Sequence, residues 1–163
     1  MTTRITSSAF LAHGDTLLLM KRGLHKKLGP GMWAGIGGHM ELDEITDPRA
    51  LDLTETCLRE IAEEAGIART GIHNLRLKYI STRKVDREIS LHYHHIGELH
   101  TKIPLPRCDE GEFHWVHKND IPDLPMSVSV GEALRHWLAT PENDEIYLVA
   151  VNKSGDSAKV LEL

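Results

Sequence analysis

Arg59-Glu60-Ile61-Ala62-Glu63-Glu64-Ala65-Gly66-Ile67 is the stretch on which the reading turns. Successive helical residues turn by about 100°, so Glu60, Glu63 and Glu64 fall within roughly 100° of one face. Apolar residues recur before and within it at Ala50, Leu51, Leu53, Cys57, Leu58, Ile61, Ala62 and Ala65, a helical spacing. Asp47-Pro48 is a start signal, an acceptor followed by proline at the first helical position, and Gly66 is a stop. The pattern predicts a main helix from there to Gly66. Three carboxylates on one face repel, and like charges one turn apart destabilise a helix. A hard divalent cation reverses that, because Mg²⁺ takes oxygen ligands and shares them with substrate phosphates. The competing reading is a solvated acidic face on which Arg59 merely pairs with Glu60.

Upstream lies Gly35-Ile36-Gly37-Gly38-His39-Met40-Glu41-Leu42-Asp43-Glu44, whose glycines let a ligand approach the backbone and its carbonyls. Before it come an apolar hairpin, Ile5 to Ala12 and Thr16 to Met20 about His13-Gly14-Asp15, and a basic loop from Lys21 to Gly31. Lys21, Arg22, Lys26 and Lys27 in that loop suit either phosphate contact or plain solvation. Met32 to Gly38 reads as a short strand. Downstream, Leu75 to Thr82, Glu88 to Leu99 and Phe113 to Val116 read as strands, and Val128 to Leu138 as a second helix. Ile146 to Val151 and Ala158 to Leu163 form a closing hairpin. Strands dominate, with two helices between them, so the expected class is α+β, a mixed sheet sandwiched by helices. No repeat or linker divides the chain, and one domain over 1–163 is expected.

Gly38, five intervening residues, Glu44, and then Arg-Glu-apolar-x-Glu-Glu-x-Gly-apolar resembles the Nudix box, the signature of the Nudix hydrolases. Arg59, Glu60, Ile61, Glu63, Glu64, Gly66 and Ile67 match its second half at every specified position. The departure is length: Ile45 to Leu58 supplies 14 residues where the family pattern has seven. The extra residues either extend the helix at its start or loop out, and either way they put the placement of Glu44 in question. A milder effect of replacing Glu44 than of replacing Glu63 is therefore expected.

The resemblance implies a Nudix-type α/β/α sandwich with a C-terminal hairpin. It also implies a hydrolase dependent on Mg²⁺, with Mn²⁺ able to substitute, that cuts a diphosphate linkage in a nucleotide. Glu60, Glu63 and Glu64 would hold the metal, Glu63 and Glu64 foremost, with the Gly38 carbonyl a further ligand. Arg59 would fix a glutamate, and Glu44 would support the site from its loop. The general base would be Glu110 or Glu112, Glu110 being preferred. The lead-in (Leu18 to Arg22 and Gly31 to Gly38) and the ending from Trp115 resemble the MutT and 8-oxo-dGTP diphosphatase branch. That points to an oxidised purine nucleoside triphosphate cut to monophosphate and pyrophosphate. Relatives acting on ADP-ribose, dinucleotide polyphosphates or capped RNA share these features. Arg22, Trp33, Gly37, Gly38 and Trp115 are the expected substrate contacts, the tryptophans by stacking, though a tryptophan in such a place more often serves core packing. A non-catalytic nucleotide sensor would be expected to lose carboxylates that this chain keeps.

Bulk properties agree with a nucleotide as the small-molecule partner. The net charge of -5 over 163 residues argues against coating nucleic acid by charge. No apolar run approaches the roughly 18 residues a membrane span needs. Cys57 and Cys108 have no ligand spacing and are expected to be reduced thiols in the cytoplasm. A homodimer stays open. Among 11 histidines, His92 and His94 share a strand face. Zinc needs three or four ligands, so a structural role is expected for them.

Overall fold

The computed structural model describes residues 1–44 and 53–163. In chain order it places β1 (Thr2–His13), β2 (Thr16–Arg22), β3 (Trp33–Ala34), β4 (Ile36–His39), a 3-10 turn (Leu42–Glu44), α1 (Thr54–Ala65), β5 (Ile72–Val85) and β6 (Glu88–Leu99). There follow β7 (Arg107–Cys108), β8 (Gly111–His117), a 3-10 segment (Lys118–Asp123), α2 (Val128–Ala139), β9 (Tyr147–Val151) and β10 (Ala158–Glu162).

The strands form one mixed sheet in the order β10-β9-β5-β6-β1-β2-β8-β7, with β3 against β2 and β4 against β1. Parallel pairing joins β1 to β6 and β5 to β9. The expected first hairpin forms, its Gly14 at φ 56 in the left-handed region that a two-residue turn of this kind asks for. Yet β1 meets β2 only at Leu11 to His13; over Thr6 to Ala9 its antiparallel partner is β4. The two neighbours divide one edge of β1 between them, and the glycine-rich segment runs where they part.

Alternation along β1 sends Ala9 and Leu11 to one face and Phe10 and Ala12 to the other. The first face packs with Cys57, Ile61 and Ala65 of α1. Phe10 and Ala12 pack with Leu134 of α2. The helices therefore cover opposite faces, and the α/β/α sandwich holds. β9 and β10 belong to the same sheet, packing Tyr147 and Val149 against Ala133. Ser127 caps α2 by accepting from Val130 N–H.

The start signal at Asp47-Pro48 and the apolar positions Ala50 and Leu51 lie outside the described residues. As described, α1 begins later than the spacing predicts. Leu53 is its N-cap at φ -96, ψ 18, and its carbonyl accepts from Cys57 N–H and from the Ser7 hydroxyl. Gly66 ends the helix at φ 65, donating to the Ala62 carbonyl. β5 is longer than predicted because bulges at Asn74 and near Lys78 let a twisted strand continue past His73.

Candidate active site

α1 lies across β4, so the acidic face of the helix meets the glycine-rich backbone. A Cβ on Gly38 would come within 2.2 Å of the Glu60 carboxylate, so only a glycine leaves room for that side chain. Gly37 N–H donates to Glu64 Oε2 at 3.3 Å. Gly37 has its own steric need: a Cβ there would sit 2.1 Å from the Ser7 carbonyl of β1. Two half-buried carboxylates thus face the Gly37-Gly38 stretch of β4.

Arg59 organises the rest. Its Nε donates to Glu44 Oε1 at 2.7 Å, Nη2 to the His39 carbonyl at 3.0 Å, and Nη1 faces Glu60 and Glu63, each at 3.0 Å. A planar guanidinium with five donors suits this shared grip. Glu44 also accepts from the Thr56 hydroxyl at 2.7 Å and from Glu41 N–H at 2.8 Å. Two residues of α1, Arg59 and Thr56, thus hold the Glu44 carboxylate despite the longer box. Thr56, absent from the sequence reading, stands one turn before Arg59 and Glu60 on the same face, and that spacing was available to find it.

Electrostatics separate the acids. Burial alone would raise Glu44, but hydrogen bonds from Arg59, Glu41 N–H and Thr56 outweigh it and hold the carboxyl below its ordinary range. Burial raises Glu60, with Arg59 opposing and Glu63 and Glu44 adding. Glu64 is pushed up to about 7, first by burial and then by Glu60, with Glu110 adding and the Gly37 N–H and Arg22 opposing. Glu63 differs: its side chain is 58% exposed against 13% for Glu60, and it turns toward Arg59. The structure brings together Glu60 and Glu64 rather than the Glu63-Glu64 pair given first place from sequence.

Across from α1, the β7–β8 turn carries Glu110, which pairs with Lys26 and lies 3.9 Å from Arg22. Its charge is among those acting on Glu64. Glu112 is not brought to this group. Phe113 and Trp115 pack on the α1 face, so alternation sends Glu112 and His114 to the other. There Glu112 lies 3.7 Å from His114. Trp33 packs against the α2-side core and edge-on to His114, ring centroids 5.1 Å apart. Trp115 packs on the α1-side core, its Nε1 donating to the Ile103 carbonyl at 3.5 Å. Both tryptophans are packing residues in this arrangement.

Among the described residues no three Asp, Glu, His or Cys side chains already stand as a metal-binding group. The donor chemistry still fits a hard divalent ion: two carboxylates against a glycine backbone, Glu60 adding to the burial that raises Glu64, with no cationic side chain among the described residues bonded to Glu64. The histidines do not supply a rival. His94 joins Ser8 (2.9 Å) and Ser81 (2.8 Å), His92 joins Thr6, and His95 joins Ser7 (3.2 Å). Cys57 and Cys108 are free thiols. Among the described residues no helix is long and apolar enough to cross a membrane.

The model of the NUDIX domain matches residues 2–138. The chain belongs to the Nudix family, and it is a hydrolase of nucleoside diphosphate-linked compounds, a class that generally uses divalent cations. An uncharacterized Nudix hydrolase of Bacillus subtilis, YvcI, is 28% identical over 136 residues, 80% of this chain and 76% of that protein. The crystal structure of a MutT protein from Bacillus halodurans superposes with a TM-score of 0.71 at 20% identity, over 96% of this chain and 97% of the other. A C. elegans Ap4A hydrolase, solved as a binary complex, gives 0.61 at 17% identity over 85% and 96%.

Proposed function

We propose that this chain uses water to cut the phosphoanhydride of a nucleoside triphosphate, with an oxidised purine nucleotide as substrate and monophosphate and pyrophosphate as products. One observation carries the reading: Glu60 and Glu64 are held against Gly37-Gly38, and the neighbouring arginine engages Glu44, Glu60 and Glu63 but not Glu64. In this reading Glu60, Glu64 and the Gly38 carbonyl hold Mg²⁺, and Glu63 joins them by leaving Arg59. When bound, the ion neutralises phosphate oxygens and makes a coordinated water easier to deprotonate. Arg59 keeps Glu60 and Glu44 in place rather than touching substrate, as a bidentate cation does best. Glu110 is the residue positioned to take the water's proton, provided Lys26 and Arg22 release it. Arg22 and Lys26 would face the phosphates.

The test is release of phosphate or pyrophosphate from 8-oxo-dGTP, dGTP, ADP-ribose, a dinucleoside tetraphosphate and a capped RNA, with Mg²⁺, with Mn²⁺ and with chelator. The tetraphosphate belongs in the panel because one fold neighbour is an Ap4A hydrolase. The expected result is cation-dependent turnover, fastest with the oxidised purine. No cation-dependent release from any compound ends the reading. A preference for another compound replaces the substrate and keeps the site.

A further inference from the structure

Lys26 is half-buried on a loop whose neighbours Leu24, Lys27 and Leu28 are all exposed. What draws it in is Glu110, with which its ammonium makes an ion pair; Arg22 approaches the other carboxylate oxygen at 3.9 Å. The loop is fastened to the β7–β8 turn there. Gly23 N–H donates to the Glu110 carbonyl at 2.9 Å, and His25 Nε2 meets the Asp109 carbonyl at 3.1 Å. Arg22 is pinned by its own Nε on the Leu28 carbonyl at 3.0 Å, whereas Lys26 has only its flexible stem.

Two cations therefore share one carboxylate, leaving an excess positive charge within electrostatic reach of Glu64. Partly exposed ion pairs of this sort are worth only about 0–1 kcal/mol. A phosphate offers more negative charge and several acceptor oxygens, with charge-assisted bonds roughly twice as strong as neutral ones. A polyphosphate is thus able to take these cations from Glu110.

Resting on the hydrolase reading above, we propose that Lys26, with Arg22, exchanges Glu110 for the substrate's outermost phosphate. Lys26 thereby sets the preference for nucleoside triphosphates over diphosphates. The same exchange frees Glu110 beside the carboxylate pair.

The experiment has two arms on the intact chain: binding of inorganic tripolyphosphate by calorimetry, and kcat/KM for dGTP against dGDP. Lys26→Met is expected to weaken tripolyphosphate binding about 10-fold or more, the loss of one charged hydrogen bond. It is also expected to shrink the dGTP/dGDP ratio by a similar factor, mainly through KM. Lys26→Arg should restore both, and Lys27→Met should match wild type. Glu110→Gln, which releases Lys26 without removing it, should tighten tripolyphosphate binding several-fold, a gain that a merely structural contact cannot give. The binding arm decides. Wild-type affinity, within twofold, in Lys26→Met overturns the proposal whatever turnover does. Weakened binding in a chain that hydrolyses neither nucleotide upholds the phosphate exchange and removes the nucleoside triphosphate as the substrate instead.

Discussion

Two clusters in this protein invite a metal, and they are built on opposite terms. The histidines of β6 are neutral groups, each met by a hydroxyl: Thr6, Ser7 and Ser8 of β1 answer His92, His95 and His94 across the parallel pair, and Ser81 of β5 closes the far side of His94. Burial, with His92 and His95 adding, pushes His94 down to about 3, so it stays uncharged. The carboxylates of α1 are also partly buried, but Glu60 adds to the burial that raises Glu64, and both face glycine backbone. One cluster is closed by its own hydroxyls; in the reading proposed above, the other is completed by a cation. Residue type and spacing did not distinguish them. Hydrogen-bond partners do.

The comparison is broken most sharply by Glu64→Gln. Removing one half of the cation-binding pair should lower kcat by roughly 10²–10³-fold, the scale of losing a principal electrostatic contact in an active site. Circular dichroism should be unchanged, and wild-type turnover in a folded Glu64→Gln protein would falsify the assignment. In the metal-free protein Glu64 also titrates near 7, above an unfolded carboxyl. Its contribution to stability is thus fully present below about pH 4.5 and disappears as pH rises through 7. Mg²⁺ must displace that proton, so apparent affinity should strengthen by up to tenfold per pH unit below 7 and level off above it. A pH-independent affinity between 5.5 and 8 would contradict this.

Glu44→Gln comes next. Because Glu44 is gripped by Arg59 and Thr56, its replacement should cost about 10–100-fold, the range for residues supporting metal ligands and still milder than the loss of a helix carboxylate. A change under threefold would mean that the grip is idle.

Neighbouring glycines sharpen the contrast further. Gly37→Ala drives a methyl into the Ser7 backbone and should cost about 1–3 kcal/mol in denaturant unfolding. Gly38→Ala meets only the end of the Glu60 side chain, which can swing away, so stability should hold while Mg²⁺ affinity drops. Equal stability losses in both would erase the distinction between the two positions.

At neutral pH the smallest effect belongs to the histidine cluster, whose contribution changes only in acid. An unfolded histidine binds its proton near 6.5 and folded His94 does not, so its contribution to stability should be constant above pH 6.5. It should fall by at most about 1.4 kcal/mol per pH unit as pH drops toward 3. In His94→Gln that dependence should flatten, and an unaltered slope would assign it to other groups.

Much of this was legible in the sequence. The helical spacing of Glu60, Glu63 and Glu64 and the strands about them needed only local periodicity, and the placing of Glu112 on the face away from the acids was available in its alternation with Phe113. What escaped needed partners distant along the chain. His94 meets a serine 86 residues away, and no local pattern announces that register. The outward turn of Glu63 reflects competition for Arg59 with Glu44, whose return depends on where α1 begins. The split of the glycine segment into β3 and β4 follows from β1 changing partners, a tertiary event.

The firm hold on Glu44 and the fastening of Leu53 on Ser7 tie the first turn of α1 both to β1 and to the segment that follows β4. Local opening of that end of the helix would release both contacts at once, so its amide protons should exchange with solvent as one cooperative group.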